Sequence, residues 1–411
     1  MDSRLEIAAV SLNEMNSCIR LMIMMLLMAT CLASAGERND TCAGIRSGIG
    51  IDLRPSYAFS SYHDDIFKKM VDVSDIRSTR LAMSLHLKYI FAFSPESRQG
   101  RLYPGAWQGI GASLNCLGNI RGIGMPVSIY AFQGAPVCRL NDHLSLYYEW
   151  NFGASFGWRK CDGEKAYSNL IVGSDVNACI NINAGLRWEI SDRYALTAGI
   201  DLTHFSNGNT SFPNPGVNMA GVKVGVSRSF GAKPMESGRR QEADTLGLRK
   251  KIMLDVTAYG AWRKRVYRGG DTPVLLNGHF AVAGIGMSPM WNVSKIFRTG
   301  PSLDIQWDES TDLKSHHAFG TTSDDICFYR RQFINQVCFG ISGRAELVMP
   351  VFSVNVGIGY NFIGPEETRA SYELANLKVR ITDRLFVNIG YQLLNFQKQN
   401  NLMLGLGYSF F

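Results

Sequence analysis

A chain of 411 residues with a net charge of +7 and only 19% charged residues is too apolar for a disordered tail, and no Lys/Arg block concentrates the charge for a nucleic-acid partner. Its 41 glycines, with 22 phenylalanines, 16 tyrosines and 7 tryptophans, give the balance of a β-rich protein or a membrane barrel. Past the N-terminus no run reaches the roughly 18 to 20 consecutive apolar residues that a membrane helix needs.

The first element is a leader. Arg20 precedes the apolar stretch "LMIMMLLMATCLASAG", and Ala33 and Ala35 set small residues at the two positions that suit cleavage before Gly36. This predicts a signal peptide over residues 1–35 and an exported chain. The acidic residues within 1–14 do not suit the start of a leader, so Met15 is a second candidate start. Cys31 as a lipid anchor is disfavoured by Thr30 before it. Cleavage leaves seven cysteines, an odd number, among which Cys161 with Cys179 and Cys327 with Cys338 each bracket a polar loop that a disulfide would close. No Cys-x-x-Cys spacing offers a structural zinc site, and no metal or cofactor is expected.

From residue 46 onward the pattern has period two, the signature of strands whose two faces meet different surroundings. "RLAMSLHLKYIFAF" from Arg80, "HLSLYYEWNFGASFGW" from His143 and "YALTAGIDLTHFS" from Tyr194 are examples. Eight strands are predicted between about residue 46 and Phe230, and eight more between Ile252 and Phe411. Tight turns such as Ser191 to Arg193, Met349–Pro350 and Thr382 to Arg384 alternate with long polar links such as Ser60 to Ser78, Arg159 to Asn177 and Asp308 to Gln332. That alternation is the pattern of an antiparallel transmembrane β-barrel, with short turns periplasmic and long loops outside.

The two halves resemble each other. "ISDRYALTAGIDLTHFS" (Ile190 to Ser206) aligns without gaps on "ITDRLFVNIGYQLLNFQ" (Ile381 to Gln397), and each is followed by a strand ending in Ser-Phe. The predicted organisation is a signal peptide over 1–35, a first eight-stranded unit over 44–230, a polar periplasmic linker over 231–250 and a second, degenerate unit over 251–411. Two tandem eight-stranded barrels and one sixteen-stranded barrel both fit; the even strand count and separate aromatic terminus of each half favour two.

"THFSNGNTSFPNPGVN" (Thr203 to Asn218) interrupts this pattern with a dense run of polar and turn-forming residues. In the second half His204 aligns with Asn395 and Ser206 with Gln397, and the intervening link shrinks to about four residues, so barrel building does not require the longer one. Taking Leu196, Ala198, Ile200 and Leu202 as lipid-facing carries His204 and Ser206 outward, and taking Val222, Val224 and Val226 as lipid-facing does the same for Asn218. A polar group on a lipid-facing wall is costly unless it meets headgroups or does chemistry. The chemistry available is acyl transfer, with Ser206 as nucleophile, His204 as base, and donors at Asn207 or Asn214 for the oxyanion. Headgroup wetting of the same residues is the competing account.

This stretch resembles the signature of the outer-membrane lipid A 3-O-deacylase family, the PagL-like acyloxyacyl hydrolases. His204, Phe205, Ser206 and Asn207 match its His-aromatic-Ser-Asn run, and Pro213, Asn214 and Gly216 match its Pro-Asn-x-Gly turn. The resemblance implies an eight-stranded barrel of the bacterial outer membrane, a lipid-facing site, and lipid A or lipopolysaccharide of the outer leaflet as partner. It also implies a catalytic group of His204, Ser206 and Asn218, with Asn207, Asn214 and Gly216 in support. The sequence departs from the family at one place: Asn218 stands where the family has its triad glutamate. Asp201 and Glu149, both in the first unit, are the alternative carboxylates, although Asp201 points inward by parity. The expected function is hydrolysis of an ester-linked acyl chain of lipid A. A non-catalytic outer-membrane barrel, either a pore or a lipid-binding pseudoenzyme, is the alternative that Asn218 favours.

Overall fold

The computed structural model describes residues 45–60, 81–117, 123–160, 171–211, 214, 216–230, 252–267, 274–276, 278–311, 313–317, 326–330, 332–396 and 398–410. The expected signal peptide and linker, and Cys42, Cys161, Pro213, Gln397 and Phe411, lie outside them.

Two closed antiparallel barrels of eight strands each make up the fold, so one barrel of sixteen is excluded. The first comprises β1 (Ile45–Ser60), β2 (Leu81–Phe93), β3 (Trp107–Cys116), β4 (Gly124–Arg139), β5 (Leu144–Trp158), β6 (Val176–Glu189), β7 (Tyr194–Ser206) and β8 (Val217–Ser229), and β8 pairs back onto β1. A five-residue helix, α1 (Arg98–Leu102), links β2 to β3 and is capped by the Ser97 hydroxyl, which accepts from the Gly100 amide.

The second barrel begins with β9 (Ile252–Arg263), followed by a two-stranded pair, β10 (Val266–Tyr267) and β11 (Val274–Leu275). β12 (Phe280–Asn292) and β13 (Phe297–Asp308) continue the wall, and β14 (Lys314–His317) pairs with β15 (Ile326–Tyr329) in the following link. β16 (Val337–Val348), β17 (Phe352–Ile363), β18 (Ser371–Arg380), β19 (Leu385–Leu394) and β20 (Lys398–Phe410) complete it, with β20 paired to β9. The wall strands, 10 to 16 residues long, suffice to cross a bilayer when tilted.

Period-two patterning explains both walls. On β7, Leu196, Ile200 and Leu202 are exposed while Ala195, Thr197, Asp201 and Thr203 are buried; on β8, Val222, Val224 and Val226 are exposed while Lys223 and Gly225 are buried. The apolar residues thus face outward and the charged ones inward, the inverse of a water-soluble protein.

The lumen of the first barrel is packed with ion pairs. Arg54 lies 2.9 Å from Asp52 and 2.8 Å from Asp201, Lys88 lies 2.8 Å from Asp52 and 2.7 Å from Glu149, and Lys223 lies 3.1 Å from Glu149. Trp107 donates its indole N–H to Glu149 at 3.0 Å. Three cations thus meet three carboxylates. The second barrel repeats the device: Lys378 bridges Asp255 at 2.8 Å and Glu346 at 2.6 Å, and Arg344 meets Asp304 at 2.6 Å. Removing one partner of such a network leaves buried charge uncompensated. Arg54→Ala, which strips Asp52 and Asp201 of their shared guanidinium, is expected to cost about 3–5 kcal/mol, read as a lowered urea midpoint in detergent micelles.

The cysteine pairing expected between Cys161 and Cys179, and that between Cys327 and Cys338, are both corrected. Cys179 and Cys338 are free, buried thiols. Strand parity is the cause: Cys179 points into an apolar cluster inside the barrel, in line with Phe205 and Val217, away from the link that it was expected to close.

Candidate active site

The polar stretch opens where β7 ends. Its register with β8 pairs Leu202 with Ala220, His204 with Asn218 and Phe205 with Val217. His204, Ser206 and Asn218 are half-buried and share the outward parity of Leu202 and Val222, whereas Phe205, Val217 and Met219 between them are buried inside. Parity therefore brings the three expected residues to one lipid-facing patch.

The closest contact in that patch joins His204 Nδ1 to Asn218 Oδ1 at 2.8 Å. A carboxamide oxygen only accepts, so Nδ1 carries the ring proton and Nε2 keeps its lone pair as a base. Ser206 lies two residues further along the same face and pairs through its backbone with Ala178 of β6. No hydrogen bond joins its hydroxyl to His204 among the described residues; such bonds are often long before substrate arrives.

The link that follows is stitched to itself. The backbone N–H of Asn207 donates to Asn214 Oδ1 at 2.9 Å, and both residues are buried. This bond ties together the two residues expected to support an oxyanion. Gly208 and Asn209 turn the chain through the left-handed region, with φ of 62° and 66°.

Gly216 has φ of 76°, and a Cβ there would lie 2.9 Å from His204 Cε1 and 3.1 Å from the carbonyl oxygen of Phe205. Only glycine lets the returning chain pass this close to the imidazole. Gly216→Ala is expected to displace the ring from Asn218, and loss of the hydrogen-bonded Nδ1 proton of His204 in nitrogen-15 NMR of the full chain in micelles would show it.

Neither Asp201 nor Glu149 stands in for a triad carboxylate. Asp201 faces the lumen and accepts from Arg54 at 2.8 Å and from Asn181 Nδ2 at 2.9 Å. Glu149 is held by Lys88, Lys223 and Trp107. Among the described residues no group of three or more His, Cys, Asp or Glu side chains is placed to hold a metal ion.

Two inward features escape the sequence. Thr203 Oγ1 accepts from Asn181 Nδ2 at 2.7 Å, and the Phe205 ring stands edge-on to Trp158 with centroids 5.2 Å apart. The alternation of β7 marks Thr203 and Phe205 as inward; nothing in the pattern points to Asn181 or Trp158 as their partners.

The second barrel lacks the arrangement. At the position aligned with His204, Asn395 and Phe396 form a tight turn with φ of 53° and 56°, and Leu394 already pairs with Lys398. Asn395 Oδ1 accepts from the Ser371 hydroxyl at 3.0 Å.

Comparison with known proteins adds two family matches. Residues 78–227 match lipid A 3-O-deacylase (PagL), and residues 252–411 match the C-terminal domain of acyloxyacyl hydrolase. No curated protein matches. Among solved structures, the outer-membrane enzyme PagL shares 13% identity over 43% of this chain and 97% of its own, with a TM-score of 0.26. Neisserial surface protein A shares 10% over 45% of this chain and 97% of its own, with a TM-score of 0.30. Ail, the attachment invasion locus protein of Yersinia pestis, shares 11% over 46% of this chain and 99% of its own, with a TM-score of 0.22. With its first barrel matched by one model and its second by the other, the chain belongs to the PagL-like family of acyloxyacyl hydrolases.

Proposed function

We propose that this protein is an outer-membrane hydrolase that removes one ester-linked acyl chain from lipid A, with Ser206 as nucleophile and His204 as general base. Family membership supports a lipid A deacylase of the outer membrane. The single observation that carries the residue assignment is the 2.8 Å contact between His204 Nδ1 and Asn218 Oδ1 on a lipid-facing surface. It holds the imidazole in the tautomer that can take a proton from serine.

In this mechanism Ser206 Oγ attacks the ester carbonyl carbon as its proton passes to His204 Nε2. The negative charge on the carbonyl oxygen falls to the side-chain N–H groups of Asn207 and Asn214, the Asn207 backbone N–H being already given to Asn214 Oδ1, in a link that Gly216 helps to place. Collapse returns the His204 proton to the departing sugar hydroxyl and leaves the acyl group on Ser206. Water, deprotonated by His204, then releases the fatty acid and restores the serine. The long-link end of the barrel, where the site lies, corresponds to the outer leaflet.

A second reading, a lipid-binding barrel without turnover, rests on Asn218, which cannot stabilise an imidazolium by charge. A pore is disfavoured by the ion pairs that fill the lumen. Mass spectrometry of lipid A from cells expressing the wild type and Ser206→Ala separates the hydrolase from the binder. The expected result is a lipid A lighter by one acyl chain with the wild type alone; full acylation in both sinks the hydrolase.

A further inference from the structure

His204 and Ser206 face the lipid, where Asn218 and the close pass of Gly216 meet the imidazole and fluid acyl chains add no fixed packing. Ser206 also lies past the last β7–β8 pair, Phe205 with Val217, so its strand end is anchored by ladder on the β6 side alone. The remaining support for the strand end that carries the two side chains comes from inside the barrel. Between them sits Phe205, buried to 2% exposure, its ring edge-on to Trp158.

Trp158 is itself held. Its indole N–H donates to Ser155 Oγ at 2.9 Å, and that hydroxyl donates to the backbone oxygen of Asn177 at 3.0 Å, so the ring is tied to the start of β6. Val217 and Met219, on either side of Asn218, pack into the same apolar cluster, as does Cys179. Two residues back along β7 from Phe205, Thr203 donates to Asp201 Oδ2 at 3.2 Å and accepts from Asn181, closing a polar anchor beneath the apolar one. A small rotation of the strand end about its axis would swing Phe205 inward and both outward side chains with it.

We infer that Trp158 is a positioning residue for the reaction: packed on Phe205 inside the barrel, it sets the outward orientation of His204 toward Asn218 and of Ser206 beside it. The catalytic part of this statement rests on the hydrolase reading above; the orientation part does not. Trp158→Ala opens a void beside Phe205 that the strand end can relax into. Trp158→Phe keeps an aromatic edge there.

The test uses the full chain refolded in micelles, with folding checked by heat-modifiable migration on gels. Nitrogen-15 NMR reads the His204 Nδ1 proton, assigned by its loss in His204→Gln, and kinetics on lipid A give kcat and KM separately. The expected result is a slowly exchanging Nδ1 proton in the wild type and Trp158→Phe that is lost in folded Trp158→Ala. With it comes a kcat lowered about 10- to 100-fold and a KM within about twofold. A folded Trp158→Ala that keeps the proton overturns the inference whether or not the protein is a hydrolase. If the wild type keeps the proton yet deacylates nothing, the hydrolase reading fails and the NMR comparison alone decides the positioning. Should Trp158→Ala not fold, Phe205→Leu opens a smaller gap at the same contact and is read by the same two outcomes.

Discussion

Asn218→Asp raises kcat on lipid A by about 10²- to 10⁴-fold, the range bounded by the roughly 10⁴-fold loss that accompanies the reverse change in a serine protease triad. Asp has the length of Asn, so the 2.8 Å contact to His204 Nδ1 survives the exchange. What changes is charge. When Ser206 gives up its proton, the imidazole becomes a cation on a half-buried, lipid-facing wall, and a carboxylate beside it offsets that charge where a neutral amide cannot. The ground state is little altered, so KM stays near its wild-type value. Initial rates of fatty acid release from lipid A micelles measure the change. A rate that stays at the wild-type level would show that charge at position 218 does not limit the reaction, and one that falls would show that the amide is the better partner.

Ser206→Ala and His204→Ala each remove nearly all deacylation, by about 10⁴- to 10⁶-fold, and the double variant is no worse than either single one. The reason is that the two side chains act as a unit. Serine without its base keeps its proton, and the base without serine has only water to activate. Residual turnover in all three comes from binding and the oxyanion donors alone. Additive losses in the double variant would mean that the two residues act independently, as they would if His204 served only to contact headgroups.

Much of the wall was legible because period-two alternation says directly which face a residue occupies. Leu196 to Leu202 and Val222 to Val226 showed the lipid side, and counting two at a time carried His204, Ser206 and Asn218 to it; the observed register sets His204 beside Asn218. The ungapped repeat marked the second half as a unit of the same build, and the shortness of its last link showed that barrel building does not require the longer one. Parity does not say which strands become neighbours across a lumen. Arg54 meets Asp201 across 147 residues, and no local pattern encodes that distance. The cysteine pairing fails for a related reason: a cysteine at the edge of a loop closes it only when its strand parity faces that loop, and Cys179 faces the apolar cluster inside the barrel. The link itself was read as a turn, yet the bond from Asn207 to Asn214 depends on left-handed residues at Gly208 and Asn209 whose combined path spacing does not show.

Placing the reactive groups on the outside of the barrel has a consequence for how a substrate is met. In the proposed mechanism a lipid would reach His204 and Ser206 by sideways diffusion within its own leaflet, without transfer through water. The encounter rate then follows the mole fraction of substrate in the surface, so that diluting it with inert amphiphile at constant bulk concentration slows turnover. A released acyl chain remains among its neighbours in the same sheet of lipid, and departure of product becomes a matter of two-dimensional mixing.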